Sequence, residues 1–438
     1  MLRYYFMLGL RNLRRNPVLT GLMVLTLTVG VAASISTLTI LHMMSGNPIP
    51  DKSSRLFVPL IDNGPLDRYI PGELPLDNQV SYRDASNFLQ GGPGVRRTAV
   101  FGVTGAIEQR RADLGTVEAD GLATTSEYFP MFNVPFLRGA AWAPAQDRST
   151  ANVVVLSRRM SEKIFGAQDP VGKHIRLFNN DFEVVGVLGN WNPMPRYTHL
   201  INGNGGNFAG QDDIFIPFQT AVRLQTNTSG SMTCSGSNAP GYQGFLDSEC
   251  TWIQFWFEMK SAVERSALQD YLDSYTREQR KFSRFARQNV NHLYDVMEWM
   301  DHLHVVSDDG RVSTWLAFGF LMLCLVNTVG LLLAKFSVRA GEVGVRRALG
   351  ASRAEIFKQF LTEAAVVGLA GGLLGLLLST GALWLLARQS DQYAALAHMD
   401  WPMLLLTFAL AVLSSIVAGL LPTWRACQVT PALQLKSQ

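Results

Sequence analysis

Three stretches of this 438-residue sequence hold residue types that could do chemistry. GAQDPVGKH, residues 166–174, has the glycines and lysine of a phosphate-cradling loop. Five residues separate Gly166 from Gly172 where a Walker A loop has four, and His174 stands where Ser or Thr would hold magnesium. It reads as a turn ahead of the β-like HIRLF. DHLHVVSDD, residues 301–309, offers His302, His304 and nearby acids as metal ligands. It stops where a long apolar run begins, which favours a solvated stalk. Cys234 and Cys250 bracket a Gly/Ser/Asn-rich loop, and in an oxidising compartment they would close it as a disulfide. Cys324 and Cys427 cannot easily reach that pair, and no CxxC or Cys/His metal spacing occurs. Neither GxSxG nor HExxH occurs either. No catalytic, metal or cofactor-binding residue is assigned, and the chain reads as a non-enzyme.

The elements that would carry these stretches are set by apolar blocks. Hydrophobic residues are 47% of the chain, a fraction that a soluble domain can also reach, so their distribution has to decide. They gather in four runs, 18–44, 312–334, 361–387 and 402–424, each long enough to cross a ~30 Å hydrocarbon layer as a helix. None has a Lys, Arg, Asp or Glu deep inside it, so an ion-driven relay is not expected. The net charge of +3 is too small to argue for nucleic acid. The basic residues are local. Arg3, Arg11, Arg14 and Arg15 precede the first run, and Lys335, Arg339, Arg346, Arg347, Arg353 and Lys358 lie between the second and third. By the positive-inside rule both segments belong in the cytoplasm. Both termini are then inside and the large domain, 45–311, outside. Residues 1–17 read as an amphipathic helix on the inner surface, ended by Asn16 and Pro17, ahead of a retained anchor rather than a signal peptide. Residues 425–438 form a cytoplasmic tail.

Within the exterior domain, 53–110 reads as strand, helix, strand, and Ser81 and Asp84 are placed to cap the helix. Residues 251–306 repeat that plan. The middle, 113–245, is rich in strands and turns. The expected fold is an α-helical membrane protein with four transmembrane helices and a large α/β domain, in which two halves form one subdomain and a mostly-β subdomain is inserted between them.

RAGEVGVRRALGAS, residues 339–352, is a charged island between apolar runs. Glu342 and Arg346 stand at i and i+4 in the favourable order. Val338, Val345 and Leu349 share a face, and Gly350 suits a left-handed cap. Ser352 and Glu355 form a capping box for the next helix. The spacing predicts a short amphipathic helix, a sharp turn and a helix entering the membrane, together spanning 335–360. That is a rigid element suited to a soluble partner. In the third run, Gly368/Gly372 and Gly371/Gly375/Ser379 recur at four-residue spacing, a face for close helix approach within the subunit or with a partner.

RAGEVGVRRALGASRAEIFKQFLTEA resembles the signature of MacB/FtsX-type ABC transporter permeases. SEYFPMFNVPFLRGAAW, VVVLSRRMSEKIFGAQDPVGKHIRLFNNDFEVVGVL and DDIFIPF resemble that family's periplasmic domain, and LPTWRACQVTPALQLK its closing pattern. The likeness runs over nearly the whole chain in the same order. It implies a type VII, mechanotransmission exporter subunit in the bacterial inner membrane, with a porter-plus-β periplasmic domain. Two permeases, identical or related, would pair in the lipid bilayer. An ABC ATPase would dock on Arg339, Glu342, Arg346, Arg347, Gly350, Ser352, Arg353 and Glu355. That partner would bind ATP and Mg, leaving no cofactor in this chain. A periplasmic adaptor and outer-membrane channel would complete an efflux path. The likeness departs in two places: the sequence shows no ATPase domain, and loop 221–250 is longer than the pattern requires. A lipoprotein-release or cell-division type subunit, or a non-transporting sensor or scaffold, are the alternative readings, and substrate is not legible.

Overall fold

The computed structural model describes residues 16–388, apart from 65, 67–68, 73, 75–77, 109–114, 202–207, 209, 235–238 and 288–289, together with scattered positions from 405 to 424. The amphipathic helix read in residues 1–17, the tail 425–438 and most of the run 402–424 lie outside the described residues. The chain divides into a helical unit, residues 1–45 and 306–438, and an α/β unit, residues 46–305.

In chain order, α1 (Pro17–Ser45) belongs to the helical unit. The α/β unit then supplies β1 (Leu56–Leu60), β2 (Val80–Ser81), α2 (Tyr82–Gly91), β3 (Arg96–Glu108), β4 (Thr116–Thr124), β5 (Phe136–Gly139), β6 (Val153–Leu156) and α3 (Arg158–Phe165). It continues with β7 (His174–Leu177), β8 (Asn180–Leu188), β9 (Ile214–Pro217), β10 (Thr228–Ser229), β11 (Thr251–Glu258), α4 (Arg265–Arg280), β12 (His292–Asp295) and α5 (Val296–His302). The helical unit resumes with α6 (Asp308–Val338), α7 (Ala340–Ala348) and α8 (Arg353–Ala387).

The α/β unit is built on one sheet in the order β12-β1-β11-β3-β4-β9-β6-β8-β5. Every residue of β11 is buried, as expected for a strand covered on both faces. Phe255 and Phe257 pack on Phe88 of α2, and Trp256 points the other way, onto Phe132 and Tyr197. The alternation of TWIQFWFE is thus the two-faced pleat of a central strand. The middle of the chain does not form a sheet of its own. The 13-residue β3 pairs with β11 on one side and β4 on the other, and β4 carries the ladder on to β9. A long strand that can be paired along both edges joins the segments read as separate subdomains.

The helical unit rests on α1, which packs against both α6 and α8. Ser307 caps α6, accepting from Gly310 N, and Asp308 and Asp309 fill its first turn, where acids suit the helix dipole. At 31 and 35 residues and 1.5 Å each, α6 and α8 run ~46 and ~52 Å, longer than a ~30 Å hydrocarbon layer. The run read as 361–387 is the later part of one helix that begins at Arg353. Its small residues let backbones approach. A Cβ at Gly371 would meet Leu27 Cβ of α1 at 2.8 Å, and one at Gly375 would meet Val31 Cγ1 at 2.9 Å. Gly368, Gly372 and Ser379 are buried along the same helix.

Candidate functional site

The segment from Lys335 to Glu363 folds as an elbow. α6 ends at Val338, and Arg339 turns the chain with φ −97° and ψ 5°, ending one helix and starting the next. α7 closes in a Schellman arrangement: Ala351 N–H donates to Arg346 O at 3.0 Å and Gly350 N–H to Arg347 O at 3.1 Å. Gly350 sits at φ 99°, a conformation only glycine adopts freely. Ser352 then caps α8 in a full capping box. Its Oγ accepts from Glu355 N at 3.2 Å, and its own N–H donates to Glu355 Oε2 at 3.1 Å. Cap, turn and cap leave no slack between α7 and α8.

α7 sorts its side chains by direction. Val343 is buried with Ile356, Phe360 and Phe336, and the Phe336 and Phe360 ring centroids lie 4.3 Å apart. Val338, Val345 and Leu349 are 78, 58 and 83% exposed. Arg346 is exposed as well, holding Glu342 at 2.6 Å and Gln359 at 3.1 Å. An apolar patch beside a guanidinium is a surface suited to a protein partner. A narrow cleft of about 20 Å³, lined by Arg339, Glu342, Arg346 and Gln359 among others, has room for about one water.

Two family matches cover most of the chain. The MacB-like periplasmic core domain matches residues 20–275 and the FtsX-like permease C-terminal domain residues 315–431. The chain belongs to the MacB/FtsX-type permease family. It is 25% identical, over 325 residues, to the pyoverdine export ATP-binding/permease protein PvdT of Pseudomonas syringae pv. syringae (strain B728a), covering 71% of this chain and 42% of that protein. It is 26% identical, over 442 residues, to the macrolide export ATP-binding/permease protein MacB of Rhodopirellula baltica (strain DSM 10527 / NCIMB 13988 / SH1), covering 96% of this chain and 60% of that one. The chain therefore spans less than two thirds of the length of these relatives. The periplasmic region of MacB from Actinobacillus actinomycetemcomitans aligns at 13% identity with a TM-score of 0.36, over 59% of this chain and 97% of that one.

In this MacB/FtsX-type chain the elbow gathers Glu342, Arg346, Gly350, Ser352 and Glu355, and Arg353 is exposed at the start of α8. Arg339 departs from the docking set. It is 8% exposed and turned inward, with Nη1 donating to both oxygens of Glu363 at 3.4 and 3.1 Å. Lys335, one turn earlier, is fully buried and holds the same carboxylate at 2.6 Å, donating also to Thr20 Oγ1 of α1 at 3.3 Å. Reading the runs as free of ionisable groups passed over this cluster. Its signal was a lone acid just inside an apolar run, facing two basic residues four apart.

The other candidates settle in the α/β unit. Cys234 and Cys250 are bonded to one another. Gly166 and Gly172 lie between α3 and β7, a helix-to-strand turn where a nucleotide loop needs strand to helix. Lys173 is spent on Gln168 Oε1 and the Phe165 ring. His302 ends α5 with Nε2 2.8 Å from Asn78 Oδ1 and its ring stacked on Tyr294. Burial lowers its pKa, with His304 and His292 adding to the shift. Among the described residues no group of His, Cys, Asp and Glu could hold a metal.

Proposed function

We propose that this chain is the transmembrane permease part of an ATP-driven, MacB-like exporter, and that the outer surface of α7 receives an ABC ATPase. The observation that carries the reading is the elbow. A short helix presents Val345, Leu349 and Arg346 outward and is locked at both ends to two long apolar helices. Force applied to such an element passes into α6 and α8 rather than into a loop. The names of PvdT and MacB, both export ATP-binding/permease proteins, support the transport class. ATP and Mg are bound by the partner. Both termini and the elbow face the cytoplasm and the α/β unit the periplasm of an inner-membrane protein. The permease works as a dimer, and its motion is passed to a periplasmic adaptor and an outer-membrane channel.

The experiment is co-purification from cells expressing the full chain with its cognate ATPase. Replacing Arg346 and Arg347 with Glu abolishes capture of the ATPase while the permease still folds. An intact complex would refute the docking assignment. The permease purified alone shows no ATP turnover, and measurable hydrolysis would defeat the division of labour.

A further inference from the structure

We infer that Glu363 is the positioning residue of the elbow: its single carboxylate fixes the attitude of α7 by holding the hinge residue Arg339 and the end of α6 at Lys335 against α8. The carboxylate is fully buried and so is Lys335. The two cations stand four residues apart, one turn of helix, so both reach one acceptor from the same side. Lys335 also bonds Thr20 of α1. One acidic group therefore ties α1, α6, the hinge and α8 together.

α7 is packed on α8 through Val343 and the Arg346–Gln359 bond, but its start is held at Arg339. Arg339 both ends α6 and starts α7, and no side chain caps α7 at this junction. Its guanidinium, held by Glu363, fixes the junction between α6 and α7. Charge supports the assignment. Two buried cations meet one buried anion, so the carboxylate cannot be lost without leaving both uncompensated. Among the described residues, the three long apolar helices carry no Asp, Glu, Lys or Arg deeper than this cluster. A chain of proton carriers is therefore not what the cluster belongs to. What α7 then meets rests on the docking reading above, whereas the clasp does not.

The test uses the full chain in detergent micelles, with Cys324 and Cys427 replaced by Ala and spin labels at Leu323→Cys on α6 and Leu349→Cys on α7, either side of the hinge. Those positions are 56 and 83% exposed, and the bonded Cys234 and Cys250 take no label. Pulsed dipolar spectroscopy is expected to give one narrow distance distribution for the parent. Glu363→Gln and Arg339→Gln widen it by a displacement on the order of one helical turn, ~5 Å. Glu363→Asp, which keeps the charge, leaves it narrow. Arg339→Gln separates positioning from folding. It leaves Lys335 and Glu363 as a balanced pair, so its melting temperature stays near the parent's while the label distance spreads. Distributions of the Gln variants that superimpose on the parent's overturn the clasp. ATPase capture from the same preparations keeps the two readings apart. A parent that captures no ATPase while the Gln variants spread sinks docking alone, and capture with an unmoved label distance sinks the clasp alone.

Discussion

Two glutamates, one in each unit, collect basic residues around a buried carboxylate, and they do so under different terms. Glu258, on the last residue of β11, is 3% exposed and meets Lys52 at 3.4 Å, Arg55 at 3.8 Å and Arg96 at 2.9 Å. Glu363, on α8, is fully buried and meets Lys335 at 2.6 Å and Arg339 at 3.1 Å. The cations around Glu258 have other recourse. Lys52 also donates to the carbonyls of Pro130 and Met131 at 2.7 and 3.1 Å, and Arg96 also holds Glu127 at 3.3 Å. Arg55 and Arg96 are about a third exposed, so water screens them. Around Glu363 the alternatives among the described residues shrink to one hydroxyl, Thr20, at 3.3 Å. A carboxylate hub at the end of a central strand is one contact among several, whereas the same hub between apolar helices is the condition for the others to exist.

The largest expected effect is therefore at Glu363. Glu363→Gln leaves two buried cations facing an amide, a change that costs about 3–5 kcal/mol when one partner of a buried ion pair is removed. Thermal unfolding in micelles, compared with Glu363→Asp, checks it. A Gln variant as stable as the parent would erase the distinction drawn here. Glu258→Gln is the matched experiment in the α/β unit. Because Lys52 keeps two carbonyl acceptors, the expected loss is about 1–3 kcal/mol, the cost of an under-satisfied buried group. Urea unfolding followed by tryptophan fluorescence measures it, and a loss equal to that at Glu363 would mean that local recourse does not matter.

Acid should next separate the units. His199 is 2% exposed and neither ring nitrogen finds a partner among the described residues. Burial, with the nearby Arg196 charge adding, drives its pKa well below 6.5. The unfolded chain then binds a proton that the folded one refuses, so stability falls as pH drops below the unfolded value of about 6.5, by about 1.4 kcal/mol per pH unit. The loss continues until pH reaches the depressed folded pKa. Urea midpoints of the α/β transition at pH 7.5 and 5.5 test this. His199→Leu should flatten most of the slope, leaving the smaller contribution of the half-buried His302, which has the same sign.

How much of this was legible follows from the range of each interaction. Local rules reached the caps. Ser81 accepts from Asp84 N, Ser352 and Glu355 form their box, and Gly350 takes a positive φ, because each needs only neighbours within a turn. Apolar length marked α1, α6 and α8, though not where α6 and α8 begin, since polar first turns continue a helix without adding hydrophobicity. The four-residue glycine spacing announced close packing but not its partner, which is α1. The joining of the middle strands to β3 through β4 was not legible, because pairing across a sheet depends on contacts far apart in sequence. Glu363 was missed for a related reason. Charge counting treated Arg339 and Lys335 as topology markers, and only the fold shows that a residue 24 positions after Arg339 is their acceptor.

The smallest effect on stability is at Arg346, and it sharpens the contrast most. Arg346 and Glu342 make as short an ion pair as Lys335 and Glu363, 2.6 Å in both. The first pair is 44 and 37% exposed and the second fully buried. Geometry being equal, the surroundings decide. An exposed i, i+4 pair contributes about 0.3–0.5 kcal/mol, so Arg346→Ala should leave the melting temperature almost where it was. If α7 docks an ATPase, the same substitution should still weaken capture of that partner, because the guanidinium is exposed on the same short helix end as Val345 and Leu349. A variant that melts like the parent yet loses its partner places the role of Arg346 at the interface. One that melts early would show that this pair, like the buried one, holds the elbow together.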